Sequence, residues 1–564
     1  MIHMVIITNI CASFWYHTYH MSIVLRQQSA PTSQEKLLRI LFSLRGLETT
    51  QQQQEFLHPT HPSTITVDAV AIDHLQMQRA TSIIHDAIQN KKNILVFGDY
   101  DADGICATTV LWKTLYSLGA KVKPFIPSRE KHGYGVSDLA IDDILSTQKP
   151  DLIITVDNGI VAYKPFERLR SLGIQTIITD HHQVDVDGFP VADAVVHTTK
   201  LCGTTVAWML ARELSAQYAV ELLDLCGIAT IADQVPLLEA NRSFALHGLQ
   251  AVKHTSRPSL LALFEIAQIK QQEITAQTVN YGIVPRINAM GRIADAMDAL
   301  RFMVSEKLSV AQKYASVLNK TNTDRQDLVS QALEDAISSV EETSLSSIIV
   351  VASEEYHEGV IGLIAGKLSE KYHRPALALS IGQRSIKGSG RSIRGIHLTD
   401  FLRKVREDLI DIGGHPMACG FSLTHQKLED FRSHVFQLAE KTIDPALLVD
   451  SVEVDCVLPH ELIVTETAQM LEKFEPYGQE NFPPVFLVKD LTIISMTRVG
   501  REKQHLKLIV RLHTGSTIQA MWFGCDLETE DRLREKAGID SIVSLQLNRW
   551  NGSESVQLRM KRAD

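Results

Sequence analysis

Three carboxylates alternate in Gly98-Asp99-Tyr100-Asp101-Ala102-Asp103-Gly104. Crowded on one loop they repel, and some must stay protonated unless a cation joins them. Hard divalent ions such as Mg²⁺ and Mn²⁺ favour such oxygens. A solvated acidic turn is the plain alternative. A calcium loop is another, since Asp99 to Gly104 fits D-x-[DN]-x-[DN]-G, but Val110 stands where that loop needs Glu and an apolar run precedes it. Two further apolar runs close on Asp157-Asn158-Gly159 and on Asp180-His181-His182, and a helix-like run closes on Asp233. A lone Asp after a strand is usually a turn or cap residue. Successive strand ends that all carry ligand-type residues form a pattern, and on one sheet edge Asp101, Asp157 and His181 can meet. Carboxylates mixed with imidazole suit Mn²⁺ or Mg²⁺ better than Zn²⁺. More than four such ligands suggest two ions, ~3.5–4 Å apart, an arrangement that cleaves phosphoesters.

The elements that must position these residues are short, β-branched and apolar: Asn93 to Phe97, Asp151 to Val156 and Gln175 to Thr179. None alternates in polarity, as expected of buried parallel strands. Helical stretches such as Thr108 to Leu118 lie between them, which predicts a doubly wound sheet with ligands beyond the carboxyl ends of its strands. From Asp298 to Glu342 the chain is polar and helical without Pro or Gly, one long helix or two joining domains. A second α/β block has strand candidates Ser347 to Ala352 and Ala376 to Ser380. After about residue 450, Val485 to Val488, Leu491 to Met496, Leu506 to Leu512, Ser541 to Leu547 and Val556 to Met560 read as short strands of a small barrel.

A chain of 564 residues, 45% hydrophobic and 22% charged, is ordinary globular protein of several domains. Its net charge of −10 advertises no polyanion partner, although a local basic channel can sit on an acidic protein. Seven cysteines without CxxC spacing argue against a disulfide framework or a thiolate zinc site and fit a reducing cytosol. No Lys or Arg precedes Arg26, so a signal peptide is not expected. Met21 offers an alternative start, and the first twenty residues read as a frayed tail. No run reaches the ~18 apolar residues of a membrane span. Gly362 to Lys367 lacks the spacing of a P-loop, and Gly388-Ser389-Gly390-Arg391-Ser392 lacks the third glycine of a dinucleotide fingerprint.

In series, Asp99 to Asp103, Asp157-Asn158-Gly159, Asp180-His181-His182 and Asp233 resemble the DHH phosphoesterase superfamily, and Gly413-Gly414-His415 is similar to its second domain. Pro285 to Arg292, His357 to Gly362, Ser389 to Ser392 and Glu475-Pro476-Tyr477-Gly478 resemble the RecJ family of single-strand-specific 5′→3′ DNA exonucleases within it. The resemblance covers about residues 30 to 564. It implies an α/β fold: an N-terminal tail and helical segment over 1–65, a DHH catalytic domain with a parallel sheet over 66–297, a connecting helix over 298–343, a DHHA1 domain over 344–445 and an OB-type β-barrel over 446–564.

The same resemblance implies roles. Asp99, Asp101, Asp103, Asp157, His181 and Asp233 would hold two Mn²⁺ or Mg²⁺ ions, with Asp157 bridging. Asp180 would orient the imidazoles, His182 would contact the scissile phosphate, and water would be the nucleophile. His415, at a glycine turn with Gly413 and Gly414, would reach the phosphate from the second domain. Ser389 and Arg391 would hold the 5′-terminal phosphate, with Arg129 and Arg292 as further contacts, because a guanidinium binds oxyanions bidentately. Arg129 alone could equally be a surface arginine. In the barrel Trp522, Phe523 and Trp550, with Lys503, Lys507 and Arg511, are available to a strand, though packing is the commoner fate of such aromatics. The implied partner is single-stranded DNA with a free 5′ end, alongside a single-strand-binding protein and a helicase, with no membrane, for a cytoplasmic monomer. One departure stands out: His197-Thr198-Thr199-Lys200 occupies the place of an Asn-Pro turn, so the channel wall there differs. The alternatives are a DHH phosphodiesterase of short oligonucleotides or cyclic dinucleotides, and a non-catalytic replication scaffold.

Overall fold

The computed structural model describes residues 22–133, 135–185, 188–342, 345–500, 502–536, 538–550 and 552–563. The expectation for the first twenty residues lies outside that set. The first unit is a five-stranded, all-parallel sheet in the order Lys121–Phe125, Asn93–Phe97, Leu152–Val156, Gln175–Asp180, Ala194–His197. Helices cover both faces, which is why Ile94, Val96, Ile154, Val156 and Ile177 are buried on one side and Leu95, Phe97, Ile153 and Ile178 on the other. Strand order reverses between Asn93–Phe97 and Leu152–Val156, and a ligand crevice opens beyond the carboxyl ends at such a switch point. Asp99 and Asp157 follow those two strands. The helix after strand Asn93–Phe97, Ala102–Ser117, begins six residues before the expected Thr108, with Asp101 as its cap and Asp103 in its first turn. A helix starting inside the acidic motif rules out the calcium loop.

The polar stretch after residue 298 is two helices. Ala296–Met303 packs on the first unit, and Leu308–Glu341, 34 residues long, runs to the second. Alanines at 311, 315, 332 and 336 and leucine at 318 give it a narrow apolar stripe. The second unit is a mixed five-stranded sheet in the order Asp411–His415, Ala418–Leu423, Ile386–Arg391, Ala376–Ile381, Ile349–Ser353. The glycine turn expected at Gly413-Gly414-His415 is instead an edge strand paired with Ala418–Leu423, since two glycines there leave the backbone free to extend.

The terminal unit is a closed barrel. Phe486–Val499 pairs with His505–Arg511, then Thr517–Trp522, Ser553–Ala563 and Gly538–Trp550, which pairs back with the first strand. The two runs expected at Val485 to Val488 and Leu491 to Met496 are this one strand, with a register shift between Val488 and Leu491 where Asp490 takes φ +54°. Thr517–Trp522 had no expectation behind it. The N-terminal helices Gln34–Ser43 and Thr50–Leu57 are no separate segment: Leu37, Leu41, Phe42 and Phe56 join the barrel core with Phe474 and Phe486. Among the described residues no helix is long and apolar enough to cross a membrane.

Candidate metal centre and phosphate cleft

Asp99 is buried just past its strand. Asp101 caps the following helix, its Oδ1 accepting from Gly104 N–H at 3.0 Å, and Asn288 Oδ1 takes the Ala102 N–H at 2.7 Å. Asp103 reaches across to helix Gly203–Leu214 and accepts from the Gly203 and Thr204 amides at 2.7 and 2.8 Å. Asp157 takes φ +61°, the left-handed region, and a Cβ on Gly203 would stand 2.2 Å from its Oδ1. Only glycine at 203 lets both carboxylates approach that helix start. His181 Nε2 stands 3.1 Å from Asp157 Oδ1 and 3.9 Å from Asp103 Oδ2, and its Nδ1 stands 3.7 Å from Asp233 Oδ2. Donor atoms of Asp99, Asp101 and Asp157, of Asp103, His181 and Asp233, and of Asp157, His181 and His182 each gather within 4.8 Å. All six ligand candidates are thus brought together from three strand ends, one helix cap, the first turn of that helix and one helix end.

Acids packed this closely must keep protons or take a cation. Burial first, then Asp101, pushes the Asp99 carboxyl up to about 7. Burial, then Asp103, lifts Asp101, and burial with the surrounding carboxylates lifts Asp157 and Asp233 well above the ordinary range. Asp99 Oδ1 and Asp157 Oδ1 are buried without a hydrogen-bond partner. His181 Nε2 therefore lies near Asp157 Oδ1 without bonding it, as two ligands of one ion do. Burial holds His181 below its usual range, in the neutral form that binds metal. The donor set, carboxylates plus one neutral imidazole, fits Mn²⁺ or Mg²⁺.

Asp180 orients one imidazole, not both. Its Oδ1 accepts from His182 Nδ1 at 2.7 Å and from the amides of His181 and His182, while Oδ2 accepts from Ile160 N–H. The His181 ring faces the carboxylates instead. Burial opposes the charge on Asp180, but the hydrogen bonds from His182 and the Ile160 amide and the nearby imidazoles together outweigh it and hold the carboxyl below its usual value. Burial likewise opposes a charged His182, but the bond to Asp180 and the charges of Asp180, Asp99 and Asp103 together raise it.

Beside the centre, a cleft of about 700 Å³ opens between the first and second units, walled by Tyr100, Arg129 and Arg292 on one side and His357, Ser380 and Lys387 on the other. Arg129 is exposed, with its guanidinium 4.7 Å over the Tyr100 ring. Burial, then Arg129, Arg325 and Arg391, pulls Arg292 down to about 10. Arg391 donates to Ser389 Oγ at 3.2 Å. A Cβ on Gly362, in the first turn of helix Ile361–Tyr372, would stand 3.1 Å from both Arg391 Nη2 and Ser389 Oγ. The segment rejected as a P-loop is therefore a helix start facing a serine and an arginine, an arrangement that suits an anion. Ser389 pairs with Gly420 and Gly420 with Gly413, while Arg391 pairs with Ala418 and Ala418 with His415. Cross-strand partners share a sheet face, so Ser389, Arg391 and His415 project to one side. His415 is exposed there, its carbonyl accepting from Thr399 Oγ1 at 2.7 Å.

Sequence reasoning missed Asn288, Gly203 and Arg325. Asn288 stood inside a quoted motif and could have been weighed as a cap. Nothing in the polar connecting helix marks Arg325, whose Nε is buried without a partner. At the departure, His197 ends strand Ala194–His197, its Nε2 donates to the His182 carbonyl at 2.7 Å, and Thr198 Oγ1 donates to Val70 O. In the barrel Trp522 is half-buried against the core, and Phe523 is exposed with Arg559 5.2 Å from its ring. Lys507 pairs through Met521 with Arg559 on the outer face. The side chain of Trp550 lies outside the described residues.

Residues 93–230 match the DHH family N-terminal domain, 345–441 the DHHA1 domain and 454–562 the RecJ OB domain. The Single-stranded-DNA-specific exonuclease RecJ of Bacillus subtilis (strain 168) is 34% identical over 542 residues, 93% of this chain and 68% of that protein. The chain belongs to the RecJ family. Two solved RecJ structures from Thermus thermophilus share the fold. The complex with Mn²⁺ matches at TM-score 0.78 and 28% identity over 94% of this chain and 76% of that one. The complex with Mg²⁺ matches at TM-score 0.73 and 27% identity, over 93% and 74%.

Proposed function

We propose that this chain is a metal-dependent exodeoxyribonuclease of single-stranded DNA that works from a free 5′ end and releases 5′-mononucleotides in DNA repair and recombination. The observation that carries the reading is the juxtaposition of a buried acidic centre at the sheet's switch point with an arginine-lined cleft shared by two units. Asp99, Asp101, Asp103, Asp157, His181 and Asp233 would hold two ions, Mn²⁺ or Mg²⁺. When bound, such ions lower the pKa of water and offset charge on the leaving oxygen.

The chain's own residues do the rest. With Nδ1 held by Asp180, His182 presents Nε2 to a phosphate oxygen. His415 approaches from the second unit. Ser389 Oγ, Arg391 and the first turn after Gly362 seat a terminal phosphate, with Arg129 and Arg292 flanking it. A terminal phosphate carries up to about two charges where an internal one carries one. Arg129, Arg292 and Arg391 converge there with no carboxylate ion pair among the described residues, an arrangement that favours the strand end. The barrel holds the strand that follows. A single-strand-binding protein and a helicase, which expose such ends, are the fitting companions, and we place the chain in the cytoplasm as a monomer.

The test is digestion of a single-stranded oligonucleotide labelled at its 5′ or 3′ end, with Mn²⁺, with chelator, and with Asp157→Ala. Mn²⁺-dependent shortening from the 5′ end is expected, absent on blunt duplex and reduced by on the order of 10³-fold in Asp157→Ala, the scale of losing a transition-state charge partner. Cleavage of cyclic or very short nucleotides instead would move the chain to the small-substrate branch of the superfamily.

A further inference from the structure

Asp233 is the ligand candidate that follows no strand. It caps helix Leu223–Ala232. The chain then turns at Gln234, φ +58°, and reaches helix Glu239–His254 through Val235-Pro236-Leu237-Leu238. That turn rests on the terminal unit. The Leu237 amide donates to the Gln479 carbonyl at 2.8 Å. Leu237 is 1% exposed, and a Cβ on Gly478 would stand 2.6 Å from its Cδ1 and 3.0 Å from its Cγ. Leu238 packs against the barrel core.

The seat is rigid. Asn481 is fully buried, its Nδ2 donating to the carbonyls of Phe474 and Pro476 at 2.8 and 2.9 Å and its Oδ1 accepting from Arg45 Nε at 2.8 Å. Tyr477 Oη donates to the Leu471 carbonyl at 2.6 Å. From the helix on the other side of the turn, the fully buried Arg242 donates to the carbonyls of Phe56, Lys473, Phe474 and Glu475. Both ends of the Asp233 turn are therefore clamped, one by its own helix and one by the Glu475 to Asn481 loop.

Plain domain packing would need the buried leucine but not glycine at 478. Overpacking a fixed seat displaces what rests on it. Between Leu237 and Asp233 lie only Pro236, Val235 and Gln234, the first with a fixed φ and the last in the left-handed region. Such a link passes displacement along. Metal ligands tolerate only about 0.2 Å in distance. We propose that Gly478, acting through Leu237, is a positioning residue for Asp233, so that the loop of the terminal unit sets the divalent-ion affinity of the Asp103, His181 and Asp233 group. The proposal rests on the metal reading above. A consequence is that cutting the chain near residue 450 removes a support of the metal centre as well as a nucleic-acid surface.

The experiment is a Mn²⁺ titration of the full chain without DNA, followed by the spectral signal of free Mn²⁺, with thermal unfolding as the folding control. Wild type should bind in two steps. Gly478→Ala should weaken one step by about tenfold, the scale on which outer-shell support affects metal affinity, and leave the other unchanged. In a Leu237→Ala background the same change should have little effect, because the atoms it meets are gone. If Gly478→Ala fails to fold, Leu237→Ala alone decides, since it removes the seat without overpacking and should weaken the same step. Folded variants with both steps at wild-type affinity, equal weakening of both, or an undiminished effect of Gly478→Ala in the Leu237→Ala background would overturn the proposal. A wild-type chain that binds no Mn²⁺ would instead overturn the metal reading beneath it.

Discussion

A buried carboxylate without a partner must either keep a proton or find a cation. The folded Asp99 carboxyl lies at about 7 against an ordinary 3.8. A group raised in this way contributes stability below its unfolded pKa and loses it as pH climbs through the folded one. The metal-free chain should therefore lose stability between about pH 4 and pH 7, and the gain in Tm on adding Mn²⁺ should be larger at pH 8 than at pH 5. Binding at pH 6 should also release protons, read as a buffer-dependent enthalpy in calorimetry. Flat Tm gains across that window would show that the acids are not raised. A second residue-scale prediction concerns Asp408, buried against His434 Nδ1 at 2.6 Å and Lys427 Nζ at 3.0 Å. The bond to Asp408 raises His434 above its usual value. Its contribution is thus full below the ordinary His pKa and fades as pH rises past the raised one. His434→Gln should destabilise the chain more at pH 6 than at pH 9, checked by paired denaturant melts.

At the scale of elements, the chain's two ends depend on one another. Strand Ser22–Leu25 pairs in parallel with Ser451–Val454, and Phe42 and Phe56 meet Phe474 at ring distances of 5.3 and 5.4 Å. Deleting a buried aromatic costs about 3–5 kcal/mol. Phe474→Ala should lower stability by that amount. The Phe474 carbonyl, kept in the variant, accepts from Arg242 and Asn481, so backbone movement into the cavity should carry to the Asp233 turn and weaken Mn²⁺ binding. A Phe474→Ala chain melting as wild type does would separate the N-terminal helices from the barrel core.

For the whole molecule the deciding quantity under the proposed function is how many phosphates the cleft and barrel neutralise together. Each contributes about −0.7 to the slope of log affinity against log salt for a single strand. Arg391→Ala should reduce that slope by about one phosphate and weaken strands bearing a 5′-phosphate more than strands without one. Equal weakening of both would place Arg391 away from the strand end.

The acidic motifs are legible in the sequence because ligand chemistry confines residue types: Asp99, Asp101, Asp157 and His181 close apolar runs that can only be buried strands, and parallel strands deliver their ends to one edge. The helix beginning at Ala102 is harder to place, since Asp and Gly in a first turn look like loop until a cap is seen. The bent strand Phe486–Val499 looks like two because a charged pair, Lys489-Asp490, interrupts its pattern where the barrel bends. Arg325, Gly203 and the seat of Leu237 on Gly478 have no local signal. Each depends on which distant backbone comes within van der Waals reach, and chain spacing does not encode that. Sequence alone determined the metal chemistry, the order of domains and the family resemblance. Tertiary structure decided that Asp180 holds one imidazole, that a helix start faces Ser389 and Arg391, and that the terminal barrel reaches back to the turn carrying Asp233, because side-chain direction and interdomain contact are set only once the units pack.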